Sequence, residues 1–583
     1  MSTKSADLGH DRRRSMTATG VALSLAALAL PPVGCSGEPG PGFLGGGDSI
    51  ELCQGEVEVP DPVLREILLE VVPQPEPPEV PEGEEPPEVE PVILAELLRG
   101  VRGLNVPGRG ITDLRGLECA QGLLGLGLAD NEISDITPLL DLTGLEQLEL
   151  SGNQISDLRA LGRLQRLTRL AIDGNGVTDV APLAGLLRLE TLDLADNEIS
   201  DIGPLAELSE LAVLVLSRNQ VSNVEPLSGL TRLVGLELDD NDVGSLGPLS
   251  GLTNLRFVDL DGNRIPSLEP LRGATDMQEI EASRNLLTSL DGVQDMVGIT
   301  RIVAQENAIE NTAEVGQLVF LSTLDLADNA VTSIAGLGGA VELQTLQVAV
   351  NRITDLSPLT GLAELRNLDV RLNEGLSDLS VVGTLPLLGS LAAGGLEQTQ
   401  DLSALAGRQV LRSITFTDGR LPSLAFFGQL PGIETINLSG TPLSSADLTD
   451  IAAAPTLQAM TLDGTGIDDL SPLEALPLLE ALNLRNNAIT RVDSLAMWPS
   501  LRTVRLSGNP LQSLEGVELL EILSELDVSE TTLADVAPVA ANETFRRGDT
   551  LIANGTALDE GDCGDIATIV AREGVVQTDV SCP

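Results

Sequence analysis

Carboxylates are the residues of this sequence whose type and spacing could do chemistry. Glu149, Asp193, Glu237, Asp259, Glu281, Asp325 and Asp369 recur at multiples of 22 residues, and Asp239 and Asp261 each follow two places after one of them. Two carboxylates held about 5 to 10 Å apart can serve as acid and nucleophile in glycoside hydrolysis. Carboxylate oxygens also ligate Ca²⁺, and a stripe of them attracts a cationic partner. The rest of the inventory argues against catalysis. His10 is the only His, Lys4 is the only Lys, and there is no Tyr. Both His10 and Lys4 fall in a leader described below, so the mature chain has no imidazole base, no Schiff-base amine and no imidazole metal ligand. A Ser nucleophile would lack its base. A sugar site would also want a cleft and aromatic platforms, yet aromatics make up 1% of the chain. The reading is a non-catalytic protein, with no catalytic residues and no dedicated cofactor.

The chain has 583 residues, with 34 Lys plus Arg against 87 Asp plus Glu and a net charge of -53. Phosphate recognition needs clustered cations, so nucleic-acid binding is excluded. Residues 1–35 have the three-part form of an export signal. Arg12, Arg13 and Arg14 supply the positive region and Val21 to Leu30 a short apolar run. Ten residues of helix reach about 15 Å, half of a hydrocarbon core of roughly 30 Å, so the run is no spanning anchor. It ends in PPVGCSG, which resembles the lipobox of bacterial lipoproteins, with Pro32 at a place where that motif usually has Leu. The resemblance implies lipidation at Cys35 and a cell-envelope lipoprotein of the outer membrane or cell surface. Plain secretion, with Cys35 an ordinary thiol, is the alternative. Residues 36–50, with six Gly and two Pro, read as a flexible tether.

Four Cys remain beyond the leader: Cys53, Cys119, Cys563 and Cys582. An even number in an exported chain favours disulfides, and four Cys allow three connectivities. Their grouping near the two ends suggests Cys53 with Cys119 and Cys563 with Cys582. A metal site would want CxxC spacing or His, and neither is present.

The elements that must position the carboxylates come from a repeat. Residues 145–161 read LEQLELSGNQISDLRAL and residues 189–205 read LETLDLADNEISDIGPL. One Asn recurs every 22 residues, at Asn131, Asn153, Asn175, Asn197, Asn219, Asn241, Asn263, Asn285, Asn307, Asn329, Asn351 and Asn373. This pattern resembles the internalin type of bacterial leucine-rich repeat, and the likeness runs over roughly residues 51–583. It implies a leucine-rich repeat solenoid: a curved horseshoe with parallel β-strands on the concave face and short 3-10 turns or loops on the convex face, capped at both ends. The physics agrees. In LxxLxLxx the apolar residues alternate through a short strand, one face buried and one open. The Asn turns the chain and its amide can bond backbone groups that water does not reach. The Pro seven residues later suits the first position of a short helical turn, and stacked coils bury a core that no single coil could.

Residues 101–555 read as about 21 such coils. Arg109 stands at the first Asn place, Gly419 at another, and Thr441, Thr465 and Thr531 at three more. A residue is inserted near Asn373 and Gly loses an internal bond, so residues 374–440 should be the softest stretch. Residues 51–100 form a helical N-terminal cap, with Asp61 and Pro62 starting the helix VLREILLEVV. Within it, residues 73–91 are rich in Pro and Glu, a composition that cannot pack. Residues 556–583 form a C-terminal cap.

In this register the residues six, four, two and one places before each Asn face outward. The candidate ligand-binding stripe is Asp193, Glu237, Asp239, Asp259, Asp261 and Glu281. Exposed like charges on neighbouring rungs about 5 Å apart repel by under about 1 kcal/mol each. A cationic protein or other cationic ligand, bound Ca²⁺, or solubility alone could favour such a stripe. Calcium needs six to eight oxygens converging on one point, a flat ladder spreads them, and no DxDxDG loop is present. Phe257 is the one aromatic on this face, and Trp498 reads as packing. The expected function is a monomeric binding or adhesion module that touches a membrane only through its N-terminal lipid. A structural envelope component without a specific ligand, or a Ca²⁺-binding solenoid, stands as the alternative. Unlike internalins the chain shows no domain after the repeats, so host-cell binding is not carried over.

Overall fold

A computed structural model describes residues 53–73, 91–396, 400–473 and 476–582. The leader, Cys35, the tether and nearly all of the Pro/Glu-rich loop lie outside the described residues. The chain forms two compact units, Met1–Asn263 and Arg264–Pro583.

The first unit holds eight three-residue strands, from Gly103–Asn105 to Phe257–Asp259. All pair in parallel at a constant offset of 22 residues, as in the row Leu148, Leu170, Leu192, Leu214, Leu236. These Leu point inward and are buried. Their neighbours on either side in sequence point outward, because successive side chains of a strand alternate.

The Asn of each coil acts as a bracket between two coils. Asn197 Nδ2 donates to Ile172 O of the preceding coil at 3.0 Å and to Leu194 O of its own at 3.1 Å, while its Oδ1 accepts from Val177 N at 2.9 Å. Burial makes such bonds obligatory, since an unpaired backbone group there finds no water. On the opposite side lie 3-10 segments whose Pro sits in the first turn, as in Ala181–Gly185. An Asp before several of these segments secures the entry: Asp179 Oδ1 accepts from Ala181 N at 2.8 Å and Asp201 Oδ1 from Gly203 N at 2.8 Å. That bond is the physical content of the repeated S/T-D-I/V-x-P motif.

At the N-terminal end the helix Pro62–Val71 is capped by Asp61, which accepts from Val63 N and Leu64 N at 3.0 Å. The other carboxylate oxygen of Asp61 accepts from Thr112 N at 2.9 Å, so one side chain both starts the cap helix and ties it to the first coil. Cys53 and Cys119 are joined by a disulfide.

The second unit holds fourteen strands, from Glu279–Glu281 to Val575–Thr578, again all parallel. Its Asn row continues through Asn373 and resumes at Asn487 and Asn509. Between them smaller groups substitute. Thr441 Oγ1 donates to Phe416 O at 3.1 Å and Thr465 Oγ1 to Leu462 O at 3.0 Å. Buried Gln400, outside the Asn register, sends Nε2 to Leu376 O at 3.0 Å. Where the side-chain row thins, the backbone ladder lengthens. Strands Ser390–Gly394 and Ser413–Thr417 have five residues each and add the pairs Ala393 with Phe416 and Gly394 with Thr417. The unit ends in the helix Cys563–Ala571 and the strand Val575–Thr578, with Cys563 disulfide-bonded to Cys582. No helix among the described residues is long and apolar enough to cross a membrane.

Candidate binding face

The outward strand residues of the first unit form a face of carboxylates with few cations among them. Glu149, Asp173, Asp193, Glu237, Asp239, Asp259 and Asp261 lie on it, with Arg169 and Arg218. Asp193 is 5% exposed, because neighbouring rungs at 22-residue steps close over it. One of its oxygens accepts from Ala195 N at 3.0 Å. Burial, the nearby Asp173 and the further charges of Glu237 and Glu149 nonetheless push its pKa up to about 7, the Ala195 bond only opposing them. Burial also pushes Asp239 up, against Ser217 and Arg218, whose guanidinium stands 3.6 Å away. The same guanidinium clasps Asp196.

Glu149 and Asp173 share a hydroxyl. Ser151 Oγ contacts both carboxylates, yet a hydroxyl has one proton to donate. With both acids ionised, one contact is a repulsion between oxygens. Burial raises the pKa of Glu149 as well. The arrangement therefore favours an extra proton or an external cation. Asp259 Oδ1 accepts from Asp261 N at 3.0 Å, and Asp261 is buried.

Of the six residues singled out from the sequence, Asp193, Glu237, Asp239, Asp259 and Asp261 thus stand on the face of the first unit. Glu281 stands in the second, where Arg301 Nη2 reaches its Oε1 at 3.1 Å. That pairing sets the tone of the second unit. Asp369 binds Arg371 at 2.6 Å, Arg505 binds Glu525 at 2.8 Å, and Arg485 reaches across two coils to Asp527 at 2.7 Å. Burial pushes Asp527 up, but Ser529 and Arg485 outweigh it and leave the carboxyl below its ordinary range. Asp325 is held by Gln305 and by Ala327 N at 3.1 Å, and burial raises its pKa. Reading one column of the repeat showed these acids without their partners. The Arg lie in other columns, Arg371 on the same coil as its acid and Arg301, Arg505 and Arg485 one or two coils away.

For Ca²⁺ the second unit offers Asp535, Asp562 and Asp565, one oxygen each within 4.8 Å of one another. Three oxygens fall short of the six to eight that the ion takes. Asp562 already accepts from Asp559 N at 3.0 Å.

A family model described as Leucine Rich repeats (2 copies) matches residues 187–229 and 477–540. The crystal structure of an internalin (inlF) from Listeria monocytogenes is 26% identical, with a TM-score of 0.53, covering 57% of this chain and 95% of that one. The functional domain of InlJ from Listeria monocytogenes, at 19% identity and a TM-score of 0.50, covers 76% of this chain and 84% of its own. The ectodomain of the Arabidopsis receptor kinase HAESA, at 19% and 0.53, covers 85% of this chain and 91% of its own. The last two show the fold alone. No curated protein matches the chain. With its 22-residue period, its bracketing Asn, its parallel strand ladders and these likenesses, the chain is a leucine-rich repeat solenoid similar to internalins.

Proposed function

We propose that this chain is an exported, monomeric cell-envelope protein that holds a cationic protein partner on the strand face of its first unit. The leucine-rich repeat fold implies a protein-binding or adhesion module, and the acidic face supplies the chemistry. One observation carries the reading: Asp193 is nearly buried, and that burial, with Asp173 and further like charges beside it, raises its pKa to about 7. Lys or Arg side chains of a partner, laid along Glu149, Asp173, Asp193 and Glu237, relieve that repulsion, which water at the surface does only in part. Such binding is steered by charge and weakened by salt. Phe257 is the only aromatic on the face and half-buried, so the interface lacks the aromatic anchors that carry tight complexes.

The test is binding of an oligo-lysine peptide to the full chain and to Glu237→Gln/Asp239→Asn, variants on half-buried positions that leave the core untouched. The expected result is about tenfold weaker binding by the variant at low salt and little difference at high salt. Equal affinity at low salt rejects the reading. The envelope location rests on the leader and Cys35: Cys35→Ser releases the protein from the membrane fraction, and unchanged fractionation removes the lipid anchor.

A further inference from the structure

A short apolar ridge runs along one edge of the second unit, away from the strand face. Val297, Val319, Phe320 and Val341 are 56%, 41%, 59% and 49% exposed. Val297, Val319 and Val341 occupy the same place in three successive coils, twelve residues after Asn285, Asn307 and Asn329. The fold does not ask for apolar residues there. Thr231, Thr253 and Thr275 hold the same place in other coils, in the same turn: Thr253 N donates to Gly251 O as Val319 N does to Gln317 O and Val341 N to Gly339 O. Threonine is as β-branched as valine and suits the backbone equally, so three valines in its stead, with Phe320 beside one of them, expose apolar surface without a structural return. Among the described residues Phe320 is also the one exposed aromatic ring.

The ridge is rigid from behind. A Cβ on Gly339 would stand 2.0 Å from Gly316 O and one on Gly336 would stand 1.8 Å from Thr312 O, so the outer segments Ala313–Gln317 and Ala335–Gly339 lie backbone against backbone. It is also bordered by carboxylates. Asp276, Glu342 and Glu364 hold the place of Phe320 in nearby coils, the first two exposed and the third paired with Arg366 at 3.1 Å.

We propose that this ridge docks an amphipathic helix of a protein partner, its apolar stripe on Val297, Val319, Phe320 and Val341 and its flanking Lys or Arg on Asp276 and Glu342. The spacing selects a helix over a strand. Successive coils are about 4.8 Å apart, and residues on one side of an extended strand about 6.7 Å apart. A helix rises about 4.5 Å in three residues and about 10.5 Å in seven, close to the one and two coil steps between the valines. The flanking carboxylates select basic residues and disfavour a second copy of this chain, whose net charge is -53. The site is independent of the acidic face of the first unit.

The test uses the full chain and two synthetic peptides of Leu and Lys: one patterned as an amphipathic helix, the other of identical composition but scrambled. Any attraction to acidic surface elsewhere is common to both peptides and cancels in the comparison. The expected result is that the patterned peptide binds about tenfold more tightly than the scrambled one, and that Phe320→Ser/Val341→Thr abolishes the difference without shifting Tm. Val297→Thr, a residue found at this place elsewhere in the chain, provides a second variant with a smaller loss. A preference that survives in the variants overturns the proposal, as does no preference in the parent chain. Sedimentation of the parent chain as a dimer that Phe320→Ser turns into a monomer also overturns it, by assigning the ridge to a second copy.

Discussion

The ring of Phe416 lies against Gly419, where an added Cβ would stand 2.5 Å from Cε1 and 2.7 Å from Cζ. Gly419 occupies a place that the repeat elsewhere gives to Asn, so restoring Asn looks like a repair when only the repeat is considered. The packing says the opposite. Phe416 is fully buried and its strand pairs along five residues, so the ring has nowhere to move. Gly419→Asn is expected to destabilise the second unit by about 2 kcal/mol through overpacking. Urea unfolding checks it, and a rise in midpoint would show that the Asn ladder can be completed there after all.

A regular coil behaves differently. Asn197→Ala removes one side chain and leaves Val177 N without its partner inside the core, while Ile172 O and Leu194 O keep the amides of Asn175 and Asn219. A buried group left unpaired costs about 1 to 3 kcal/mol, so the variant should lose about 2 kcal/mol. Asn223→Ala, at an exposed outer turn where Oδ1 takes only Glu225 N at 3.0 Å, should lose under about 1 kcal/mol. Chemical denaturation of the two side by side separates a bracketing Asn from a merely local one.

The contrast between these positions shows what was legible in the sequence. Each coil repeats one solution, so the periods of Leu and Asn disclose strand, turn and stacking at once. Gln400 escaped because it bonds Leu376 O from outside the Asn register. Phe416 and Gly419 escaped because a ring and a missing side chain compensate each other within one coil, which no column of the repeat records. The acidic column was visible, but Arg301 beside Glu281 and Arg485 beside Asp527 were not, since partners sit in different columns and meet only by stacking. The ridge of Val297, Val319 and Val341 is in plain register, twelve places after an Asn, but it lies in the outer turn, away from the strand column that carries the acids.

The C-terminal cap should depend on its disulfide. The helix Cys563–Ala571 covers the last coils, with Ile566 and Ile569 buried, and the bridge from Cys563 to Cys582 closes a loop of 19 residues. On the chain-entropy estimate such a loop contributes about 3 kcal/mol. In a stacked array each coil is supported by its neighbours, so a loosened cap frays inward. Cys563→Ser/Cys582→Ser should therefore speed amide exchange first in Val575–Thr578 and Thr550–Ala553, and leave the first unit unchanged. Uniform loss of protection in both units would mean that the cap is not the local device described here.

Acid should strengthen one part of this protein. Asp193 has a folded pKa of about 7, against an ordinary value of 3.8. Between these values the folded state holds a proton that the unfolded state has released, and stability falls as pH rises wherever the folded state binds more protons. The contribution is thus fully present below about pH 4 and lost on passing through about pH 7. Asp61 and Asp527 act with the opposite sign but lower on the scale: their hydrogen bonds and, for Asp527, Arg485 hold their pKa values down despite burial. They lose stability only as pH falls through the ordinary carboxylate range and below. Asp193→Asn keeps the shape and removes the titration, so unfolding free energies of parent and variant should differ little at pH 4.5 and diverge by on the order of 2 kcal/mol by pH 8, with the variant the more stable. The bound oligo-lysine peptide should shrink that gap, since a cation at Asp193 takes over the role of the proton. Parallel profiles from pH 4.5 to 8 would show that Asp193 is solvated in the folded chain and that the first unit's face carries no stored repulsion for a partner to relieve.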